Sequence, residues 1–258
     1  MAESCPDRKL TIRPLTPAHV DDLKTVTAGT WGASCWCLFP RYTAAQKRAL
    51  GLDRGGDTPR RAEVARLARR RNSPGLIAYQ GTEPIAWIAV GPRSDLSAVD
   101  RSRATPAVDE LAVWVIPCIT VRRGHRGHGI AVAMIKAAVD YAARLGAPAV
   151  EAYPRAENKR LNDDFVFFGN EAMFRKAGFR QVRGVLAGLP KTWTPRVTMR
   201  RTIRTRGARS ARPPAPAAHP PAKRTRARSA RPERPPRTRR STRSRRMESH
   251  AASRAPAR

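Results

Sequence analysis

The sequence predicts an α/β protein, with a mixed sheet flanked by helices and a disordered basic tail at its C-terminus. Residues 113–121 are apolar and rich in β-branched side chains, as expected of a buried strand. A glycine-rich turn follows them, and residues 129–145 then show a helical period. Strands and helices go on alternating as far as Thr202, a pattern that favours a sheet with helices packed on it.

The first half of the chain predicts one strand, two helical regions and a hairpin. Leu10 to Leu15 alternates in polarity and predicts a strand. Thr16 and Pro17 supply an N-cap and a proline at N1 for a helix to about Thr27. A second helical region runs from about 58 to 71. Strands at 76–79 and 85–90 are joined by Gly-Thr-Glu-Pro, which is typical of a hairpin.

The second half alternates strands with helices, after a polar and irregular stretch at 91–108. Its predicted elements are a strand at 113–121, a helix at 129–145, a strand at 148–153, a loop at 154–167, a helix at 168–177, a strand at 179–186 and a last strand at 194–201.

The charge of the chain is strongly positive and concentrated towards its end. Lys and Arg number 51 against 20 Asp and Glu, and residues 203–258 hold 18 of the former with 2 of the latter. That segment has almost no large apolar side chain and many prolines, so we expect it to be disordered. It predicts non-specific binding to nucleic acid or another polyanion. An extension without function, produced by a compositional bias, is the alternative.

Cysteine usage and hydropathy point to a cytoplasmic protein without a membrane partner. The four cysteines are expected to be free thiols, and the N-terminal residues are polar. No apolar run approaches the length of a membrane span. Cys35 and Cys37 are spaced too closely for a zinc site and have no second ligand pair, so we expect no metal. They predict either core packing beside Trp31 and Trp36 or the wall of a substrate pocket.

The turn after the strand at 113–121 has the features of an anion site. Gly127 and Gly129 lack a Cβ, so an anion can approach the main chain closely. The free N–H groups of the next helix would point at that anion, and Arg126 adds a fork of donors. The Walker and dinucleotide-binding patterns are both missing here.

Two motifs together resemble the GNAT superfamily of N-acetyltransferases. One is the Arg-Gly-His-Gly-Ile-Ala loop at 126–131, and the other is Gly169 to Phe179, a predicted helix ending at Gly-Phe. Three further marks resemble a bacterial subfamily: Cys35-Trp36-Cys37, Val113-Trp114 and Glu151-Ala152-Tyr153-Pro154. The resemblance covers 8–202 and implies one domain with a mostly antiparallel sheet.

The resemblance implies that acetyl-CoA is the co-substrate and that a primary amine, on a small molecule, a protein lysine or an N-terminus, receives the acetyl group. It places the pantetheine arm beside Ile119 to Val121. The residues it assigns to the pyrophosphate are Arg126, Gly127, His128, Gly129, Ile130 and Ala131. One departure is Gly124, where the family often has Gln or Arg.

The resemblance also suggests catalytic groups. Asp109 and Glu110 precede the strand at 113–121 and are the candidates for the general base, with Glu110 slightly favoured; solvated loop charges are the alternative. Phe174 stands where many relatives have a tyrosine acid, so Tyr153 and water are the candidate proton donors. The alternative for Tyr153 is a tyrosine at the rim of the sheet that serves packing alone. The alternative function is a polyanion-binding protein whose transferase site is degenerate. Slow hydrolysis of acetyl-CoA would distinguish the two.

Overall fold

The computed structural model describes residues 9–30, 32–54, 56–156 and 167–203. Its strands are β1 (Leu10–Pro14), β2 (Gly75–Gln80), β3 (Glu83–Pro92), β4 (Trp114–Val121), β5 (Ala149–Ala152), β6 (Arg180–Arg183) and β7 (Thr198–Thr202). Its helices are α1 (Val20–Thr27), α2 (Gly32–Cys35), α3 (Ala44–Ala49), α4 (Thr58–Ala68), α5 (Ser97–Asp100), α6 (Ile130–Arg144) and α7 (Glu171–Lys176). The basic tail predicted for 203–258 lies outside the described residues from Arg204 onward.

The strands form one sheet in the order β1-β2-β3-β4-β5-β7-β6. Neighbouring strands run antiparallel except β4 and β5, which are parallel. The prediction of a mixed, mostly antiparallel sheet flanked by helices is therefore confirmed. No helix in the described ranges is long and apolar enough to cross a membrane.

Helices cover both faces of the sheet because successive side chains of a strand point to opposite sides. On β2, Leu76 and Ala78 belong to the cluster that contains buried residues of α6 and α7. Ile77 and Tyr79 alternate with them and pack in the cluster that contains buried residues of α1 and α4.

A bulge in β4 interrupts the regular pairing with β3. Ala89 pairs with Cys118 and Gly91 with Val115, so Ile116 and Pro117 together lie opposite Val90. An extra residue of this kind bends the strand, and the side chains that follow it point to the opposite face of the sheet from the one that regular alternation would give. Ile116 and Ile119, three positions apart, consequently pack in the same cluster.

The start of α1 and the presence of α3 are among the local features that differ from the sequence predictions. Thr16 does not cap a helix, because its hydroxyl bonds Nδ1 of His19 (2.8 Å) and a short 3₁₀ turn at Pro17–His19 precedes α1. Helix α3 was not predicted, although Thr43 and Gln46 form a capping box at its start.

Candidate functional site

The centre of the site is the opening where β4 leaves β5. Parallel pairing ends at Ile116 and Ala152, and Pro117, the next residue of β4, has no N–H to continue it. Beyond that point the N–H of Ile119 donates to the carbonyl of Phe167 (2.6 Å). The backbone of Ile119 therefore faces the opening, where the pantetheine arm is expected. An arm can pair with this N–H only by replacing Phe167.

The loop that follows β4 has the backbone geometry of an anion site. Gly127 (φ +85°) and Gly129 (φ +74°) both adopt the left-handed region, which favours glycine. A Cβ at either position would meet no atom within 4 Å, so the space in front of the loop is open. Ile130 and Ala131 begin α6, a helix of 15 residues, and their N–H groups have no acceptor within the helix. The loop can thus present N–H groups and a helix dipole to a phosphate.

Two basic side chains of the loop are held in place by the neighbouring strands. Nε of Arg126 donates to the carbonyl of Val121 (2.9 Å), and Arg122 pairs with Glu83 at the β2–β3 turn (2.5 Å). Both arginines line a cavity of about 390 Å³ between this loop and residues 25–30 at the end of α1. His128 is exposed.

A second cavity, of about 330 Å³, opens where β4 parts from β5, and we call it the apolar cavity. Carbon-rich side chains make up most of its wall. Its lining residues are Gly32, Cys35, Cys37, Phe39, Pro40, Ala98, Val99, Ser102, Ala104, Thr105, Ile116, Pro117, Cys118, Tyr153, Phe167, Phe168, Trp193, Thr194 and Arg196. No residue lines both cavities.

Three cysteine thiols form part of the wall of the apolar cavity. Hydrogen bonding to Cys37, followed by burial, raises the pKa of Cys35, and hydrogen bonding to Cys118 raises that of Cys37. The thiols of Cys35 and Cys37 are therefore neutral at neutral pH. Across the described ranges, no three His, Cys, Asp or Glu side chains are arranged to hold a metal. Cys35 and Cys37 line the cavity, and Cys37 also packs in the core cluster that contains Trp36, so the two interpretations of the motif are compatible.

The backbone at the Cys-Trp-Cys motif is strained. Trp36 (φ 50°) and Cys37 (φ 51°) both adopt the left-handed region, which costs energy in residues other than glycine. In this conformation, Sγ of Cys37 accepts a hydrogen bond from the indole N–H of Trp87 (3.0 Å). Trp36 in turn donates to Asp57 (2.9 Å). The motif thus forms a small section of the cavity wall that these hydrogen bonds fix in place.

Tyr153 belongs to a buried polar network at the same cavity. Its hydroxyl accepts from Arg93 and donates to Glu151 (3.0 Å), and Glu151 also accepts two bonds from Arg200 (2.9 and 2.6 Å). Burial, followed by the nearby carboxylate of Glu151, raises the pKa of Tyr153. Tyr153 therefore stays protonated at neutral pH and is connected to a buried carboxylate.

The two carboxylates expected as the base lie away from the apolar cavity. Asp109 forms a bidentate ion pair with Arg200 (2.7 and 2.9 Å), and these hydrogen bonds lower its pKa. A base active at neutral pH needs a shift in the other direction. Glu110 is exposed, and neither residue is part of the cavity wall. Asp109 nevertheless joins the network of Tyr153, because Arg200 bridges Asp109 and Glu151.

Several cavity residues were not predicted from the sequence. Pro117 was, in retrospect, marked by its position inside an apolar strand, where proline indicates a bulge. Trp193 and Arg196 precede β7, and no local pattern connects them with β4. Phe174 is fully buried against Phe179 (ring centroids 5.2 Å apart), so its ring serves the core.

Proteins similar to this chain include known acetyltransferases. A model described as the acetyltransferase (GNAT) family matches residues 42–169. No curated protein matches the chain. A GNAT acetyltransferase from Streptococcus pneumoniae has a TM-score of 0.45 at 12% identity, covering 76% of this chain and 99% of its own.

Two other solved structures illustrate the range of similar proteins. The PaiA N-acetyltransferase from Thermoplasma acidophilum, in complex with coenzyme A, has a TM-score of 0.43 at 13% identity, covering 76% of this chain and 99% of its own. A polyamine N-acetyltransferase from Drosophila melanogaster has a TM-score of 0.43 at 11% identity, covering 76% of this chain and 100% of its own. At such low identities these structures indicate no substrate for this chain.

Proposed function

Because the chain belongs to the GNAT family, whose members use acetyl-CoA as co-substrate, we propose that it transfers an acetyl group to a primary amine bound in the apolar cavity. The observation that carries this proposal is the position of β4. The cavity opens at Pro117, and the phosphate-binding geometry begins only a few residues later on the same chain segment. One strand can therefore place a thioester beside an amine.

The binding of acetyl-CoA follows from the exposed groups of the loop. The pyrophosphate would lie on the N–H groups at 127–131, with Arg126 nearby, and the arm would run along β4 past Val121 and Ile119. The N–H of Ile119, released from Phe167, would then donate to the carbonyl oxygen of the thioester. That donor stabilises the negative charge that develops on the oxygen during attack.

The transfer itself forms one bond and breaks one. The lone pair of the amine attacks the thioester carbon, a C–N bond forms, the C–S bond breaks, and the coenzyme leaves as a thiolate. The amine must lose a proton in the process, and the thiolate takes its proton from water. Positioning of the two reactants supplies much of the rate enhancement in such a step.

We assign the proton path to Tyr153 and Glu151. The hydroxyl oxygen of Tyr153 can accept the proton of the amine while its own proton passes to Glu151, and the adjacent Arg93 stabilises negative charge on that oxygen. Asp109 acts in this scheme by holding Arg200 against Glu151. A direct role of Asp109 or Glu110 as base is the rival scheme.

An acceptor screen with detection of released thiol tests the proposed function, run on the full chain and on residues 1–202. We expect turnover with at least one class of amine, and slow hydrolysis of acetyl-CoA without acceptor. Binding of coenzyme A with neither activity would instead support the degenerate binding protein. The net charge of +31 favours polyanion binding under either function.

A further inference from the structure

Among the described residues, Arg196 contributes the one cationic side chain to the wall of the apolar cavity. It lies just before β7, where its backbone pairs with Arg155 and the next N–H, of Val197, donates to the carbonyl of Pro154 (3.1 Å). These bonds attach the segment to the chain immediately after Tyr153. The guanidinium is therefore held at the same cavity as the proposed proton path.

This guanidinium is partly buried without an anion. Desolvation by burial lowers the pKa of Arg196, and no carboxylate in the described part of the chain lies within ion-pair distance of it. The other arginines near the cavity differ: Arg93 pairs with Asp100, and Arg200 with Glu151. A buried charge without a partner is costly, so a position of this kind favours a ligand that supplies the opposite charge.

The guanidinium of Arg196 is also held in position before any ligand binds. Its Cζ lies 3.9 Å from the ring centroid of Phe168, a stacking distance that holds the guanidinium plane over the ring. The N–H edges of a stacked guanidinium remain available for a planar, two-oxygen acceptor. A carboxylate matches this fork better than a point-like or neutral group does.

The rest of the cavity wall favours an apolar ligand. Trp193 lines it and remains 43% exposed, so apolar ring surface is accessible at the cavity. Phe167 and Phe168 add two further rings that contact each other edge to face. A ligand with an apolar body would cover this surface and displace water from it.

We propose that the acceptor is a small amine that also carries a carboxylate and an apolar side chain, as an aromatic amino acid does, and that Arg196 binds its carboxylate. This rests on the proposed function for the identity of the cavity as the acceptor site. The phosphates of coenzyme A do not serve as the anion for Arg196, because they are assigned to the loop at 126–131, none of which lines this cavity.

Binding of an unreactive ligand pair tests the carboxylate directly. Calorimetry with coenzyme A present should show that 3-phenylpropionate binds about 10- to 100-fold more tightly than 3-phenylpropanamide. Arg196→Met keeps the apolar length of the side chain and should abolish that preference. Arg180→Met removes an equal charge from an exposed position outside the cavity and should preserve it. Equal affinities for acid and amide, or a preference that survives in Arg196→Met, would overturn the proposal.

Turnover separates this inference from the proposed function. With acetyl-CoA, phenylalanine should be acetylated with a higher kcat/KM than phenylalaninamide or phenethylamine, chiefly through KM, and Arg196→Met should equalise the three. Equal or faster acetylation of the two neutral compounds by the unaltered protein would reject the carboxylate and leave acetyl transfer standing. Carboxylate-selective binding without any transfer would support the role of Arg196 while rejecting the proposed function.

Discussion

The two ends of the proposed reaction site are built in different ways. The cofactor end is one continuous segment, residues 121–131, whose binding groups are mainly backbone N–H groups shaped by Gly127 and Gly129. The apolar cavity is assembled from side chains that range from Gly32 to Arg196 along the sequence. A ligand shared by a family can be bound by a local backbone shape, whereas selection of an acceptor requires side chains brought together by the whole fold.

The largest expected effect comes from placing a charge in the cofactor loop. Gly127→Glu puts a side chain and a negative charge where phosphate is expected, and it should weaken coenzyme A binding by at least about 100-fold. Gly188→Glu is the matched control, because Gly188 has a similar φ (+72°) and an equally open Cβ position but lies outside both cavities. Wild-type affinity in a folded Gly127→Glu protein would show that the cofactor binds elsewhere.

Tyr153→Phe should have the next largest effect and should act on the rate. The substitution keeps the ring and removes the hydroxyl that links the cavity to Glu151, so kcat should fall by roughly 100-fold at neutral pH. The loss should shrink as pH rises, since the amine then deprotonates without help. Coenzyme A binding should not change. A normal rate at neutral pH would exclude the proton path through Tyr153.

Asp109→Asn should cause a smaller change, expressed more in stability than in rate. Since Arg200 lowers the folded-state pKa of Asp109, this pair stabilises the fold above the ordinary pKa of aspartate, and that contribution disappears as pH falls through the lowered value. Thermal melting should therefore show a lower Tm for Asp109→Asn at pH 7 and convergence with wild type in acid. Glu110→Gln should match wild type in both Tm and rate.

A different outcome for those two variants would favour the rival base. A large loss of kcat in Glu110→Gln, recovered at high pH and with unchanged Tm, would transfer the role of proton acceptor from Glu151 to Glu110.

Deletion of residues 203–258 should have the smallest effect on the reaction, because both ends of the site lie before Arg204. Coenzyme A affinity and transfer to a small amine should be unchanged. Binding to duplex DNA should weaken, and its dependence on salt should become less steep, since the segment carries 18 basic residues. Titrations of the full chain and of residues 1–202 at several salt concentrations measure this. Equal affinities and slopes would favour an extension without function.

The sequence predicted the strand, turn and helix of the proposed cofactor end because local rules determine them. A strand, a glycine-rich turn and a helix follow one another directly, and the structure has β4, left-handed Gly127 and Gly129, and α6 in those places. The same local rules could have identified α3 from Thr43 and Gln46, and the bulge from Pro117.

The apolar cavity could be predicted only in part. The Cys-Trp-Cys motif suggested a pocket wall, but nothing near Arg196 in the sequence connects it with Tyr153. The pairing of β5 with β7, continued by the pairing of Arg196 with Arg155, brings the two segments together. Asp109 was expected to form part of the general base, but Arg200, 91 positions away in the sequence, lowers its pKa. Long-range contacts of this type are invisible to periodicity and spacing.

The central claim is that β4 brings a bound thioester and an amine together. Its most direct test is to count released thiol and acetylated amine in the same reaction, by a thiol reagent and by mass spectrometry. We predict one acetylated amine for each thiol above the slow hydrolysis rate, at unchanged levels in Gly188→Glu and at background in Gly127→Glu. Thiol release without acetylated product, or no turnover of any amine by a protein that binds coenzyme A, would contradict the account.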